Sequence, residues 1–201
     1  MFTRGDDNSG PVLINFNFNY FSQSFSQLTI NTNGYVYFNL VSTSDSTYGN
    51  SISALNYDLI TSTSGGIYYQ NLNSQSSDFN SIKSDLNRLD ASFVPTNIFR
   101  ITYYNVPYYY STSQLVSFQI ILASSSSKSY VLLKYTTCLS SSYYTIYIVA
   151  TPGLYYLSSI GQQLSNRITN PCTNSNVNQA GTWVFDVSSS NKNNLIVKSL
   201  T

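Results

Sequence analysis

Val12-Leu13-Ile14-Asn15-Phe16-Asn17-Phe18-Asn19-Tyr20-Phe21 sets Val12, Ile14, Phe16, Phe18 and Tyr20 at every second position. Residues two apart share one face of an extended strand, so this run carries a row of large apolar side chains on one side and mostly amides on the other. Stretches rich in β-branched residues and tyrosine recur at 28–31, 35–41, 52–60, 66–72, 98–106, 115–123, 130–137, 143–150, 182–187 and 195–197, and each reads as a further strand. Asn33-Gly34 lies between the second and third of these runs, and the dipeptide predicts a two-residue hairpin turn.

One segment has a different period. Phe79, Ile82, Leu86 and Leu89 recur at helical spacing after the cap candidates Ser76, Ser77 and Asp78, and Pro95 closes the segment. The expected fold is therefore all-β, mainly an antiparallel β-sandwich, with one short amphipathic helix near residues 78–90. Residues 124–127 read as a turn and 188–194 as a polar loop. The expected organisation is a flexible N-terminal arm at 1–11 followed by one β domain over 12–201.

Composition narrows the chemistry. The 201 residues contain neither histidine nor glutamate, which removes the usual neutral-pH acid–base group and every imidazole-built metal site. Carboxylates come only from Asp6, Asp7, Asp45, Asp58, Asp78, Asp85, Asp90 and Asp186. No serine has a histidine to activate it, and Lys83, Lys128 and Lys134 show no Ser-Lys spacing signature. A hydrolase would need two of the six aspartates after Asp7 to flank a bond, and nothing in their spacing brings two together. The expectation is a protein with no catalytic residues, no cofactor and no bound metal. Charged residues make up 8% of the chain with a net charge of +1, so there is no basic face for nucleic acid or for anionic lipid. Weak net charge favours association between copies. Copies of the same chain, or other extracellular proteins, are the expected partners.

Cys138 and Cys172 are the only cysteines. Their interval suits one disulfide in an oxidising compartment, with two buried free thiols as the alternative that spacing leaves open. No run approaches the roughly 20 apolar residues of a membrane span, and residues 1–11 lack a signal peptide's apolar core. The expected location is extracellular, secreted or on the cell surface, with the signal peptide absent from the sequence.

Five blocks, in order, resemble the nidogen-like extracellular (NIDO) domain family. Phe16-Asn17-Phe18 with the run from Leu28-Thr29-Ile30 through Asn33-Gly34-Tyr35-Val36-Tyr37-Phe38 is similar to the family's aromatic strand and hairpin. The stretch 52–58 with Gly65-Gly66-Ile67-Tyr68-Tyr69 is similar to its next strand pair. Ile101-Thr102-Tyr103-Tyr104-Asn105-Val106 and Ser117-Phe118-Gln119-Ile120-Ile121-Leu122 resemble two more strands, and Gly181-Thr182-Trp183-Val184-Phe185 the closing one. Family tryptophans are replaced by Asn56 and Tyr103, which marks a divergent member. The resemblance implies an extracellular structural or adhesive role, no catalysis, and no binding residues that transfer one by one.

Three surface features remain. Arg4-Gly5-Asp6 is the tripeptide that integrins read, and Asp6-Asp7-Asn8-Ser9 lacks the spaced ligands of an EF-hand loop, so a solvated turn is its reading. Tyr103, Tyr104, Tyr108, Tyr109, Tyr110, Tyr143, Tyr144, Tyr155 and Tyr156 are more phenols than one core absorbs, and alternation sends one member of each pair outward. Outward tyrosines suit interfaces and sugar stacking. Finally, no Asn-X-Ser/Thr sequon occurs despite abundant Asn, Ser and Thr, as expected of a surface packed against other molecules, while the Ser and Thr residues remain acceptors for O-glycans. The reading is a non-enzymatic, self-associating subunit of extracellular matrix or of a surface filament. It joins through tyrosine-rich faces, strand edges and an exchanged arm at 1–11 or 194–201. The alternative is a cell-adhesion module binding a receptor or glycan.

Overall fold

A computed structural model describes residues 1–38, 50–55, 57–138, 143–144, 146–149, 168–169 and 171–189. Among them lie twelve strands and one helix. The first sheet runs β1 (Ser9–Tyr20), β2 (Gln23–Asn31), β3 (Tyr35–Tyr37), β4 (Ser51–Ser53) and β10 (Tyr147–Val149) in that spatial order. The second runs β12 (Thr182–Asp186), β8 (Ser129–Thr137), β7 (Ser111–Ser124), β6 (Asn97–Tyr108) and β5 (Gly66–Asn71). A short pair, β9 (Tyr143–Tyr144) with β11 (Ile168–Thr169), stands apart, and every pairing is antiparallel. The fold is the expected all-β sandwich.

Why the second sheet reads as continuous apolar runs becomes clear from its two faces. Phe118, Ile120 and Leu122 of β7 and Val131 and Leu133 of β8 point into the core shared with the first sheet. Their neighbours Ile121, Ala123, Tyr130 and Leu132 point the other way and pack beneath α1 (Ser77–Leu89). A strand buried on both faces loses the alternation that marks a half-buried one. The helix forms where the period changes. Ser76 caps it by accepting from the Phe79 N–H at 3.2 Å, Asp78 sits in its first turn and Arg88 in its last, in keeping with the helix dipole. Burying Phe79, Ile82 and Leu86 is worth about 1.5–3 kcal/mol each, more than any cap contributes.

Asp90, just past the helix, ties this layer down. Its carboxylate accepts from Lys128 Nζ, from Tyr130 Oη at 2.9 Å, and from Ser92 Oγ at 2.6 Å and Ser92 N–H at 3.0 Å. Burial alone would raise the Asp90 carboxyl pKa, but the donors Lys128, Ser92 and Tyr130 outweigh it and hold the group well below the usual carboxylate range. Burial, followed by the bond to Asp90, raises the Tyr130 phenol. A depressed carboxyl stabilises the fold above its unfolded pKa of about 3.9 and loses that contribution as pH falls toward the folded value. In acid titrations followed by circular dichroism, the wild type should therefore lose stability below about pH 4. Asp90→Asn should flatten that limb while costing about 1–3 kcal/mol at neutral pH.

Several expectations change in detail. The Asn33-Gly34 hairpin has a three-residue loop, because Asn31 pairs with Tyr35. Only Gly34, at φ +86°, takes a positive φ there. Asn33 is instead held through its side chain, which donates to Asp7 Oδ1 at 2.7 Å and accepts from the Leu59 N–H at 2.9 Å. The strand expected over 52–60 stops at Ser53, with Leu59 and Ile60 making only isolated bridges to Tyr108 and Asp6. The region 143–150 divides into β9 and β10.

The N-terminal segment is not a free arm. Phe2 is buried, its N–H bonds Ile67 O at 2.8 Å on the outer edge of β5, and β1 already starts at Ser9. The physical reason is that an unpaired sheet edge and a buried ring both hold the segment. β1 is an edge strand, and its pairing with β2 slips between Leu13 and Phe18. The expected strand at 195–197 and the arm at 194–201 lie outside the described residues.

Candidate functional site

The tyrosines separate into two sets. Tyr20, Tyr103 and Tyr135 are buried, and each spends its hydroxyl on a backbone carbonyl: Tyr20 Oη donates to Ser51 O at 2.8 Å, Tyr103 Oη to Asn31 O at 2.5 Å and Tyr135 Oη to Ala54 O. The last two bonds run from the second sheet to the first or its flank, fastening the layers at polar points inside an apolar core. Burial, with Tyr35 adding to it, pushes the Tyr103 phenol well above its ordinary pKa.

The second set faces water. Tyr68, Tyr104 and Tyr110 are 43%, 57% and 75% exposed, and Tyr109 is also exposed. Tyr104 reaches the surface by alternation with the buried Tyr103, and β6 carries a bulge at the next residue, Asn105, which has φ +47° and donates its N–H to Ser117 Oγ at 2.9 Å. Bulges re-aim the side chains around them. Gly65, at φ +68°, packs so closely against this bulge that a Cβ there would sit 2.2 Å from Asn105 O.

At the other end of β6, Tyr109 and Tyr110 form the two-residue turn between Tyr108 and Ser111. Tight turns often take Gly, Asn or Asp, but neither Tyr109 nor Tyr110 has a positive φ, so the turn accommodates two bulky rings. Their rings continue a ladder from the interior: Tyr57–Tyr108 centroids lie 5.1 Å apart, Tyr108–Tyr110 5.7 Å and Tyr109–Tyr110 5.1 Å. Burial, then Tyr57, Tyr110 and Asp58, raises the Tyr108 phenol. Sequence reading singled out these residues as a run but placed no turn there, since the turn has none of the usual residues. Tyr143 and Tyr144 pair with β11, and Tyr155 and Tyr156 lie outside the described residues.

Arg4-Gly5-Asp6 is pinned beside this turn. Gly5 exchanges backbone and side-chain bonds with Thr61 at 2.9–3.1 Å, Asp6 bridges Ile60, and Arg4 Nη2 donates to Gly65 O at 3.4 Å. The Arg4 and Asp6 side chains stay exposed. Asp6, Asp7 and Asp58 each bring one carboxylate oxygen within 4.8 Å of the others. Burial, then Asp6 and Asp7, raises the Asp58 carboxyl, against a lowering bond from Tyr110. Such an oxygen set has the donor chemistry that hard divalent cations take. This grouping was missed in sequence because Asp58 comes from a distant segment.

The other aspartates have structural partners. Asp85 meets Lys134 and Arg88, Asp90 meets Lys128, and Asp78 meets Arg100 at 2.8 Å. Asp186 accepts from Ser188, and Asp45 lies outside the described residues. Cys138, just after β8, is bonded to Cys172, with a Cα–Cα distance of 6.1 Å.

Two stacked antiparallel sheets and one disulfide define a β-sandwich module. The chain matches the nidogen-like domain over residues 20–145 and belongs to that family. The match covers β2 through β9, while Phe16, Phe18, Cys172 and the closing strand β12 fall outside it. Comparison with curated proteins and with solved structures found no match. Nidogen-like domains are extracellular, matrix-type modules without enzymatic activity. Among the described residues, no helix is long and apolar enough to cross a membrane.

Proposed function

We propose that this chain is a non-catalytic structural subunit of an extracellular matrix or surface filament, and that copies join through exposed tyrosines and strand edges. The observation that carries this reading is the Tyr109-Tyr110 turn, where two exposed rings extend an internal aromatic ladder into solvent. Tyrosine offers rigid contact area with a polar tip and little entropy to lose. The low charge of the chain leaves copies little electrostatic repulsion to overcome, and β1 is a sheet edge suited to strand addition, whereas Phe2 already occupies part of the β5 edge.

Light scattering across a concentration series, beside negative-stain electron microscopy of the native protein, tests the proposal. The wild type should form regular oligomers or filaments, and Tyr109→Ser/Tyr110→Ser should weaken association by about a hundredfold or more, as expected for two central aromatic anchors. A wild type that stays monomeric at every concentration would overturn this reading. It would direct attention to cell attachment through Arg4, Gly5 and Asp6.

A further inference from the structure

We propose that the outer face of the β5–β6 edge binds a neutral saccharide, and that this site is separate from the Tyr109-Tyr110 turn. The cleft there has a volume of about 280 Å³ and is lined by Tyr68, Tyr69, Gln70, Arg100, Thr102 and Tyr104. That is the low end of small-ligand sites, the size for a single ring of a longer chain.

Strand register explains how the cleft is built. Tyr104 pairs with Gly66, Thr102 with Tyr68 and Arg100 with Gln70, so side chains of all three pairs share the outer face. Gly66 has no side chain to separate the two exposed rings. The Tyr68 ring lies across it, so close that a Cβ on Gly66 would meet the ring and its hydroxyl at 3.0 Å. Farther along the same face, α1 covers Ile121, Leu132 and Val184. Asp78, in the first turn of that helix, meets Arg100 and forms a boundary where the covered part ends.

The chemistry of the lining selects the ligand. Arg100 is the only cation lining the cleft, and Asp78 neutralises it at 2.8 Å. No unpaired positive charge remains there to hold a phosphate or an acidic polymer. An apolar peptide would cover the Gln70 amide and the Arg100 N–H groups that Asp78 does not engage without satisfying them, at a cost for each. A pyranose answers both features. Its C–H faces lie on the Tyr68 and Tyr104 rings, and its rim hydroxyls meet the amide, the guanidinium and the phenols, which together offer donors and acceptors. These 201 residues carry no sequon, so the saccharide assigned to the cleft is a chain of an extracellular polysaccharide rather than an N-glycan on this domain.

Isothermal titration and amide chemical-shift mapping with neutral hexasaccharides provide the test. The probes are a β-1,4-glucan, a β-1,4-linked N-acetylglucosamine polymer fragment and an α-mannan, with a heparin hexasaccharide as the acidic control. At least one neutral probe should bind, with shifts centred on Thr102 and Tyr104. Tyr68→Ala and Tyr104→Ala should each weaken that binding by about tenfold, and Tyr104→Phe should retain it because the ring face remains. Both tyrosines are exposed, so these variants keep the core intact. Binding by none of the neutral probes, indifference to both alanine variants, or tighter binding of heparin would each overturn the proposal. Tyr109→Ser/Tyr110→Ser should leave saccharide binding unchanged, so loss of self-association and loss of this site are told apart.

Discussion

Breaking the Cys138–Cys172 bridge should cost about 3–4 kcal/mol of stability, the loop-entropy value for a cross-link spanning 34 residues. The bond joins the segment after β8 to the loop that precedes β12, two strands that are neighbours in the second sheet. That loop is also held by Trp183 Nε1, which donates to Pro171 O at 3.4 Å. Gly181 O accepts from the Tyr135 N–H at 2.8 Å next to the same corner. With the bridge cut, the β8 ladder and the buried Trp183, Val184 and Phe185 still hold β12, but the loop before it falls back on neutral hydrogen bonds such as these, each contributing only about 1 kcal/mol net. Urea unfolding of Cys138→Ser/Cys172→Ser should show a lower midpoint and a steeper denaturant slope, because the unfolded chain is no longer cross-linked and exposes more surface. Reductant should bring the wild type to the same midpoint. Equal midpoints for wild type and double variant would mean that the thiols are free in the folded protein and that the bridge contributes nothing.

Much of the architecture was legible because strands with one wet face advertise themselves. In β1, Val12, Ile14, Phe18 and Tyr20 are buried while Leu13, Asn15 and Asn17 are exposed, as the period of two requires. The helix was equally clear from Phe79, Ile82 and Leu86. Boundaries were harder, since pairing partners rather than local composition decide them. β6 and β7 run on to Tyr108 and back from Ser111 because each supplies the other's hydrogen bonds, although 107–114 shows no apolar alternation and mixes strand-favouring tyrosines with Pro, Ser and Gln. The packing of residues 1–11 was illegible for a related reason. Phe2 gains its burial from Ile67 and its neighbours, which a reading of local polarity does not see. Likewise Asp58 reads as isolated until folding brings it to Asp6 and Asp7, and Gly66 reads only as the first residue of a strand until the register places Tyr104 opposite it. Single residues gave the tyrosine surface, but only the register shows which rings share a face.

Phe118→Ala should destabilise the protein by about 3–5 kcal/mol, the range for removing a buried aromatic ring. The ring is almost wholly buried, stacks on Tyr103 with centroids 4.3 Å apart and interplanar angle 14°, and lies 5.9 Å from Tyr135. It therefore sits between the two tyrosines that bond across to Asn31 and Ala54, and it also crowds Gly34, where a Cβ would come within 3.3 Å of Phe118 Cζ. Tyr103→Phe removes only the hydroxyl and leaves the Asn31 carbonyl without that donor, which should cost about 1–2 kcal/mol. The two effects should not add. With the Phe118 ring gone, Tyr103 is free to shift from Asn31, so Tyr103→Phe should cost less in that background, a coupling of about 0.5 kcal/mol or more in a double-mutant cycle read by urea unfolding. Strict additivity would mean that the stack does not position the hydroxyl. The coupling matters for the surface as well as the core, because Ser117, which precedes Phe118, holds the Asn105 bulge adjacent to Tyr104. A loosened Phe118 should therefore disturb Tyr104 even though their side chains lie on opposite sides of the sheet, and the exposed tyrosine face is only as well ordered as the buried stack behind it.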